Sequence, residues 1–131
     1  MNHFMLPPAT EHGDDDGVDD MEHLVNAVLA HGCGERSRLE LKLVGGSLLS
    51  SGAPDTGTRA IHFARRFAAT ARLTVVAEDV GGRLGRDVIY WPGTGQLQIR
   101  KLRGIQTLLA EREREYSLAL DARHTSVARA E

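Results

Sequence analysis

Residues 58–77, TRAIHFARRFAATARLTVVA, decide the fold class. Ala60, Phe63, Ala64, Phe67, Ala68 and Ala71 fall on one stripe of a helix, while Arg59, Arg65, Arg66 and Arg72 lie mostly away from it. Thr56 or Thr58 can cap its start. The pattern then changes to the β-branched run Leu73–Ala77, which reads as a buried strand. A helix feeding directly into a strand predicts a mixed α/β or α+β chain.

Upstream, Leu39, Leu41 and Leu43 alternate with Glu40 and Lys42, giving a half-buried strand that ends at Gly45-Gly46. A Ser/Gly/Pro loop to about Gly57 connects it to the helix. Earlier still, Met21, Leu24, Val25, Val28 and Leu29 follow helical spacing, with Asp19 or Asp20 as N-cap and Gly32 as the stop. Ala9–Asp19, acidic and glycine-punctuated, reads as a mobile loop. His3–Leu6, closed by Pro7 and Pro8, reads as a short strand.

Downstream, Glu78–Gly85 reads as a tight glycine-rich loop. Asp87–Trp91 and Gln96–Leu102 follow as strands of a hairpin turned by Pro92-Gly93-Thr94-Gly95. The expected order is β-α-β-α-β-β-β, an α+β layered sheet with two amphipathic helices packed on it. Gln106–Ala122 adds a charged, loosely docked tail helix.

With 131 residues, 41% of them hydrophobic, the chain has the size and core of one domain, which excludes a multidomain enzyme. No apolar run reaches the length of a membrane span, and Met1-Asn2-His3-Phe4 lacks the basic region of a signal peptide, so a cytoplasmic protein is expected. The single cysteine, Cys33, cannot form an internal disulfide.

The net charge of −2 conceals an asymmetry: residues 1–35 hold eight acids and no Lys or Arg, while the rest carries all 16 basic groups against ten acids. Asp14, Asp15, Asp16, Asp19 and Asp20 do not make an EF-hand, because Val25 occupies the twelfth position that needs an acid. His12, His23 and His31 share no helix face at metal-binding spacing. Gly81-Gly82 with Arg83 and Arg86 reads as a glycine turn with exposed arginines rather than a phosphate cradle. The basic residues lack interleaved aromatics, which speaks against nucleic acid and for an acidic protein surface.

Several of these segments together resemble the CheD family, the chemoreceptor glutamine deamidases of bacterial chemotaxis. The resemblance rests on Met1–Pro7, on Arg38–Gly46, and above all on Val75–Gly82 with Gly85-Arg86. The hairpin with Tyr90, Trp91, Pro92, Thr94-Gly95 and Arg100-Lys101-Leu102 is also similar. It covers residues 1–103, the expected deamidase domain, and leaves 104–131 as a charged tail.

The resemblance implies hydrolysis of particular receptor glutamines to glutamate with release of ammonia, without a metal or organic cofactor. A thiolate attacks the amide carbon, an imidazole activates the thiol and protonates the leaving ammonia, and backbone N–H groups hold the oxyanion. His3 is the family's base position and the catalytic candidate of this sequence. The family nucleophile lies in a Gly-Ser-Cys motif upstream of that histidine; this sequence contains none, and two residues precede His3. An N-terminally shortened member is therefore expected, with strands as well as the nucleophile missing and poor solubility as a result. An in-frame Gly-Ser-Cys in the upstream DNA would indicate a misplaced start. Cys33 is a poor substitute, because it follows a helix C-terminus, where the dipole disfavours a thiolate. The implied partners are methyl-accepting chemotaxis receptors and the CheC phosphatase, so the alternative function is an inactive module that binds them.

Overall fold

The computed structural model describes residues 1–4, Leu6, 13–32, 34–49, 55–103 and, farther on, Leu108, 111–116, 118–119 and Ala122. Cys33, His12 and the Pro7-Pro8 pair lie outside the described residues. The elements are α1 (Gly13–His31), a 3-10 turn (Arg36–Arg38), β1 (Glu40–Gly45), α2 (Thr56–Thr70), β2 (Thr74–Val80), β3 (Gly85–Trp91) and β4 (Gln96–Leu102). The class is α+β. The strands form two two-stranded sheets, β1 parallel to β2 and β3 antiparallel to β4.

α2 is the crossover that parallel strands require, and it packs against α1, β1 and β2. Its stripe buries Phe63, Ala64, Phe67 and Ala68, as the spacing predicts. Met21 and Val25 from α1, Leu73 and Leu6 complete the core, with Phe4, Leu39, Leu41 and Val75 half-buried against it. A buried aromatic or aliphatic side chain of this kind contributes about 1.5–3 kcal/mol.

Both ends of α2 are capped, the N-terminus by a residue other than those expected. Asp55, not Thr56 or Thr58, is the N-cap, and its carboxylate accepts from the Thr58 N–H at 2.9 Å. At the other end the Leu73 N–H donates to the Ala68 carbonyl at 2.8 Å and the Arg72 N–H to Ala69 at 3.2 Å, a Schellman arrangement. It places Arg72 at φ 55°, a conformation usually left to glycine.

Four further expectations change. The acidic stretch is helix from Gly13, so Asp19 and Asp20 are interior positions of α1 rather than its cap. Three consecutive acids suit a helix N-terminus, where the backbone dipole favours negative charge. Val28, placed on the apolar stripe by its spacing, is exposed. No strand forms at His3–Leu6 among the described residues, where the segment is held instead by side-chain contacts to α1 and α2. Finally, β2 runs through Glu78 and Asp79 to Val80, since β1 offers partners as far as Gly45. Only one face of β2 meets the core, and Val76, opposite a register shift in β1, is 45% exposed.

The hairpin matches its turn chemistry. The Gly95 N–H donates to the Trp91 carbonyl at 2.8 Å, and Gly95 itself has φ 70°. In the tail, the described residues from Leu108 to Ala122 are helical, and Leu108, Tyr116 and Leu118 are exposed. The Thr56 hydroxyl meets the Glu113 carboxylate at 3.5 Å.

Candidate active site

Two constellations carry polar chemistry. The first surrounds His3. The Asn2 side-chain amide donates to the Asp20 carbonyl of α1 at 3.1 Å. On the other side, Phe4 meets Phe63 of α2 edge-on, with ring centroids 5.7 Å apart at 70°. Among the described residues Leu6 is the most buried large side chain, 1% exposed. His3 itself is exposed between these anchors. Its neighbours fix the backbone, and its imidazole faces solvent.

The second lies where β1 and β2 end. Arg86, on β3, has a guanidinium side chain only 5% exposed, which overturns the expectation of an exposed arginine. All five of its N–H groups are engaged. Nε and Nη2 donate to Asp79 Oδ1 at 3.1 and 2.8 Å, Nη2 also to the Gly81 carbonyl at 2.9 Å, and Nη1 to Ser47 Oγ and to the Leu84 carbonyl. The Ser47 hydroxyl donates to the Leu84 carbonyl at 2.6 Å. The Gly81 N–H donates to Gly45 and the Leu48 N–H to Gly82, both at 2.8 Å.

This cluster staples the loop after β1 to the loop after β2. Arg86 hydrogen bonding holds the Asp79 carboxyl below its usual value, Lys101 adds to the effect, and burial opposes it. With every donor used internally, the guanidinium has none left for an outside anion. Gly46 and Gly57 bring the two ends of the β1–α2 connection into contact: a Cβ at Gly57 would lie 2.5 Å from the Gly46 carbonyl oxygen.

Sequence reading found His3 through resemblance and missed the staple. The signal for it was Gly85-Arg86 beside Glu78-Asp79, but Ser47 is 39 residues away and only the fold brings it in. Of the other candidates, His23 and His31 are exposed on α1, and Cys33 lies outside the described residues. A half-open groove of ≈ 400 Å³ runs between the helices, lined by Val18, Phe63, Phe67 and Ala71. No helix among the described residues is long and apolar enough to cross a membrane.

Comparison of the sequence with known proteins places the chain in a family described by chemotactic sensory transduction. Residues 5–101 match the CheD family model, described as CheD chemotactic sensory transduction. The chain belongs to the CheD family. It is 37% identical over 138 residues to a probable chemoreceptor glutamine deamidase CheD of Halorhodospira halophila, covering 96% of this chain and 63% of that relative. The same description attaches to a protein of Hahella chejuensis, 35% identical with 98% and 64% covered. It also attaches to one of Hydrogenovibrio crunogenus, 38% identical with 87% and 64% covered. The chain spans about three-fifths of the length of the curated relatives it matches.

Proposed function

We propose that this chain carries the histidine-bearing part of a cytoplasmic deamidase that converts glutamine side chains of methyl-accepting chemotaxis receptors to glutamate. Membership of a family whose relatives are described as probable chemoreceptor glutamine deamidases supports the reading. Residues 1–103 form the deamidase domain and 104–131 a charged tail.

His3 is the general base. It takes the thiol proton, the thiolate attacks the glutamine amide carbon, and the imidazolium returns the proton to the departing ammonia. Water then opens the thioester to give glutamate. The thiol belongs to a Gly-Ser-Cys segment, which in the family lies upstream of this histidine. Cys33 is not that thiol: in the sequence it follows Gly32, the stop of a helix, and a helix C-terminus opposes a thiolate.

The test compares the chain alone with the chain joined to the Gly-Ser-Cys segment of a relative. Each is incubated with a receptor fragment, and ammonia release and glutamine-to-glutamate conversion are followed by mass spectrometry. Conversion is expected only with the segment and is lost in His3→Ala. Conversion that survives His3→Ala, or that depends on Cys33, overturns the reading. A second reading, a binding module for receptors or the CheC phosphatase, is favoured by the exposed Ile89 and Trp91 on the hairpin. It predicts binding without ammonia.

A further inference from the structure

We propose that Gly17 and Phe63 form a socket that fixes the segment bearing His3, which makes Gly17 a positioning residue for that base; the inference rests on the catalytic reading of His3. Gly17 lies inside α1, where glycine costs about 1 kcal/mol relative to alanine. Its packing explains its presence. A Cβ at this position would lie 2.7 Å from Leu6 Cδ2 and 2.8 and 3.0 Å from Phe63 Cζ and Cε1. The bare helix backbone is thus the wall against which both side chains rest, and both are almost fully buried.

Leu6 is three residues beyond His3, a reach of at most about 10 Å of chain. Phe4, adjacent to His3, lies edge-on to the same Phe63 ring, and Asn2 is tied to the Asp20 carbonyl one turn along α1. A side chain at Gly17 pushes Leu6 and Phe63 outward and moves the histidine between its anchors. A base acts only within hydrogen-bond reach of its proton, so a displacement of about 1 Å is enough to matter.

The experiment records heteronuclear NMR spectra of the full chain, following the backbone amides of His3 and Phe4 and the His3 imidazole, with exposed His31, at the far end of α1, as internal reference. In Gly17→Ala the His3 and Phe4 signals are expected to move while those of His31 stay. Leu6→Val in the same background, which removes a methylene from the crowded side, is expected to bring them back toward their original positions. Unmoved His3 signals in a folded Gly17→Ala protein overturn the socket. Should Gly17→Ala fail to fold, Leu6→Val in the unaltered chain reads the same coupling by loosening the socket three residues from His3: displaced His3 signals support the socket and unmoved ones overturn it. Deamidation by the chain joined to its Gly-Ser-Cys segment is scored separately. Displaced signals with conversion that ignores His3→Ala sink the catalytic reading and leave the socket standing, whereas stationary signals sink the socket whatever the conversion.

Discussion

Arg86 Nη2 donates to Asp79 Oδ1 at 2.8 Å, and the two residues flank the turn in which Gly81 and Gly82 both take positive φ. Removing the guanidinium takes two donors from the Asp79 carboxylate and one each from the Ser47 hydroxyl and the Gly81 and Leu84 carbonyls, leaving the Ser47–Leu84 bond and the Lys101–Asp79 pair. Arg86→Ala is expected to lower stability by about 1.5–3 kcal/mol, the range for hydrogen bonds to a charged group, with the partly exposed Asp79 keeping the loss below that of a fully buried pair. Urea unfolding measures it. A change within about 0.5 kcal/mol, typical of a surface position, would show the staple to be idle.

Acid stability follows from the same carboxylates. Asp79 is held below its usual value by Arg86, Glu78 by Arg65, and Asp55 by Thr58. The unfolded chain therefore binds protons more readily than the folded one. Their contribution is fully present above the ordinary carboxylate range of about pH 4 and is lost as pH falls through the lower, folded values. Glu113 has the opposite sign: burial raises its carboxyl against the lowering effect of the Thr56 hydroxyl that donates to it, so its contribution is present at low pH and is lost as pH rises through the raised value. Urea midpoints should hold steady from neutral pH to about pH 4 and then drop. The drop should be shallower in Asp79→Asn; an equal slope would remove Asp79 from the account.

Capping gives a cleaner comparison. Asp55→Ala should cost about 1 kcal/mol, the usual value of an N-cap, and Thr58→Ala less, since it loses the hydroxyl contact to Asp55 but keeps the backbone N–H bond. Equal losses on thermal unfolding would return the cap to threonine.

Arg72 offers a stabilising change. Its left-handed conformation costs an L-residue about 1–2 kcal/mol, of which glycine's greater freedom in the unfolded chain takes back about 0.4–1. Arg72→Gly should therefore gain about 0.5–1 kcal/mol in the same assay. A loss would mean that the arginine side chain holds more than the turn does.

Solubility turns on the outer face of the hairpin, where Ile89 and Trp91 are 49% and 42% exposed beside Gln98 and Gln96. Ile89→Lys with Trp91→Lys should reduce light scattering at high concentration while leaving the unfolding midpoint nearly unchanged. Undiminished scattering would move the sticky surface elsewhere.

Periodicity made α2, β1 and the β3–β4 hairpin legible, because in each the pattern and the turn or stop residues agree. Residues 13–19 were not, since Gly13, Asp14–Asp16 and Gly17 have the composition of a loop. What makes them helix is the dipole that welcomes the acids and a close approach to Leu6 and Phe63 that demands a glycine. The extent of β2 depended on where β1 ends, which no local window contains. His3 was legible only through resemblance, and the burial of Arg86 only through partners 7 and 39 residues away.

Arg86 belongs to the hairpin by sequence and to the β1–α2–β2 unit by its bonds, and together with Lys42 on the Gly95 carbonyl and Lys101 beside Asp79 it ties the two ladders into one cooperative unit. Amides of β3 and β4 should therefore exchange with solvent at rates that track those of β1 and β2, because neither ladder opens fully while the guanidinium bridges them.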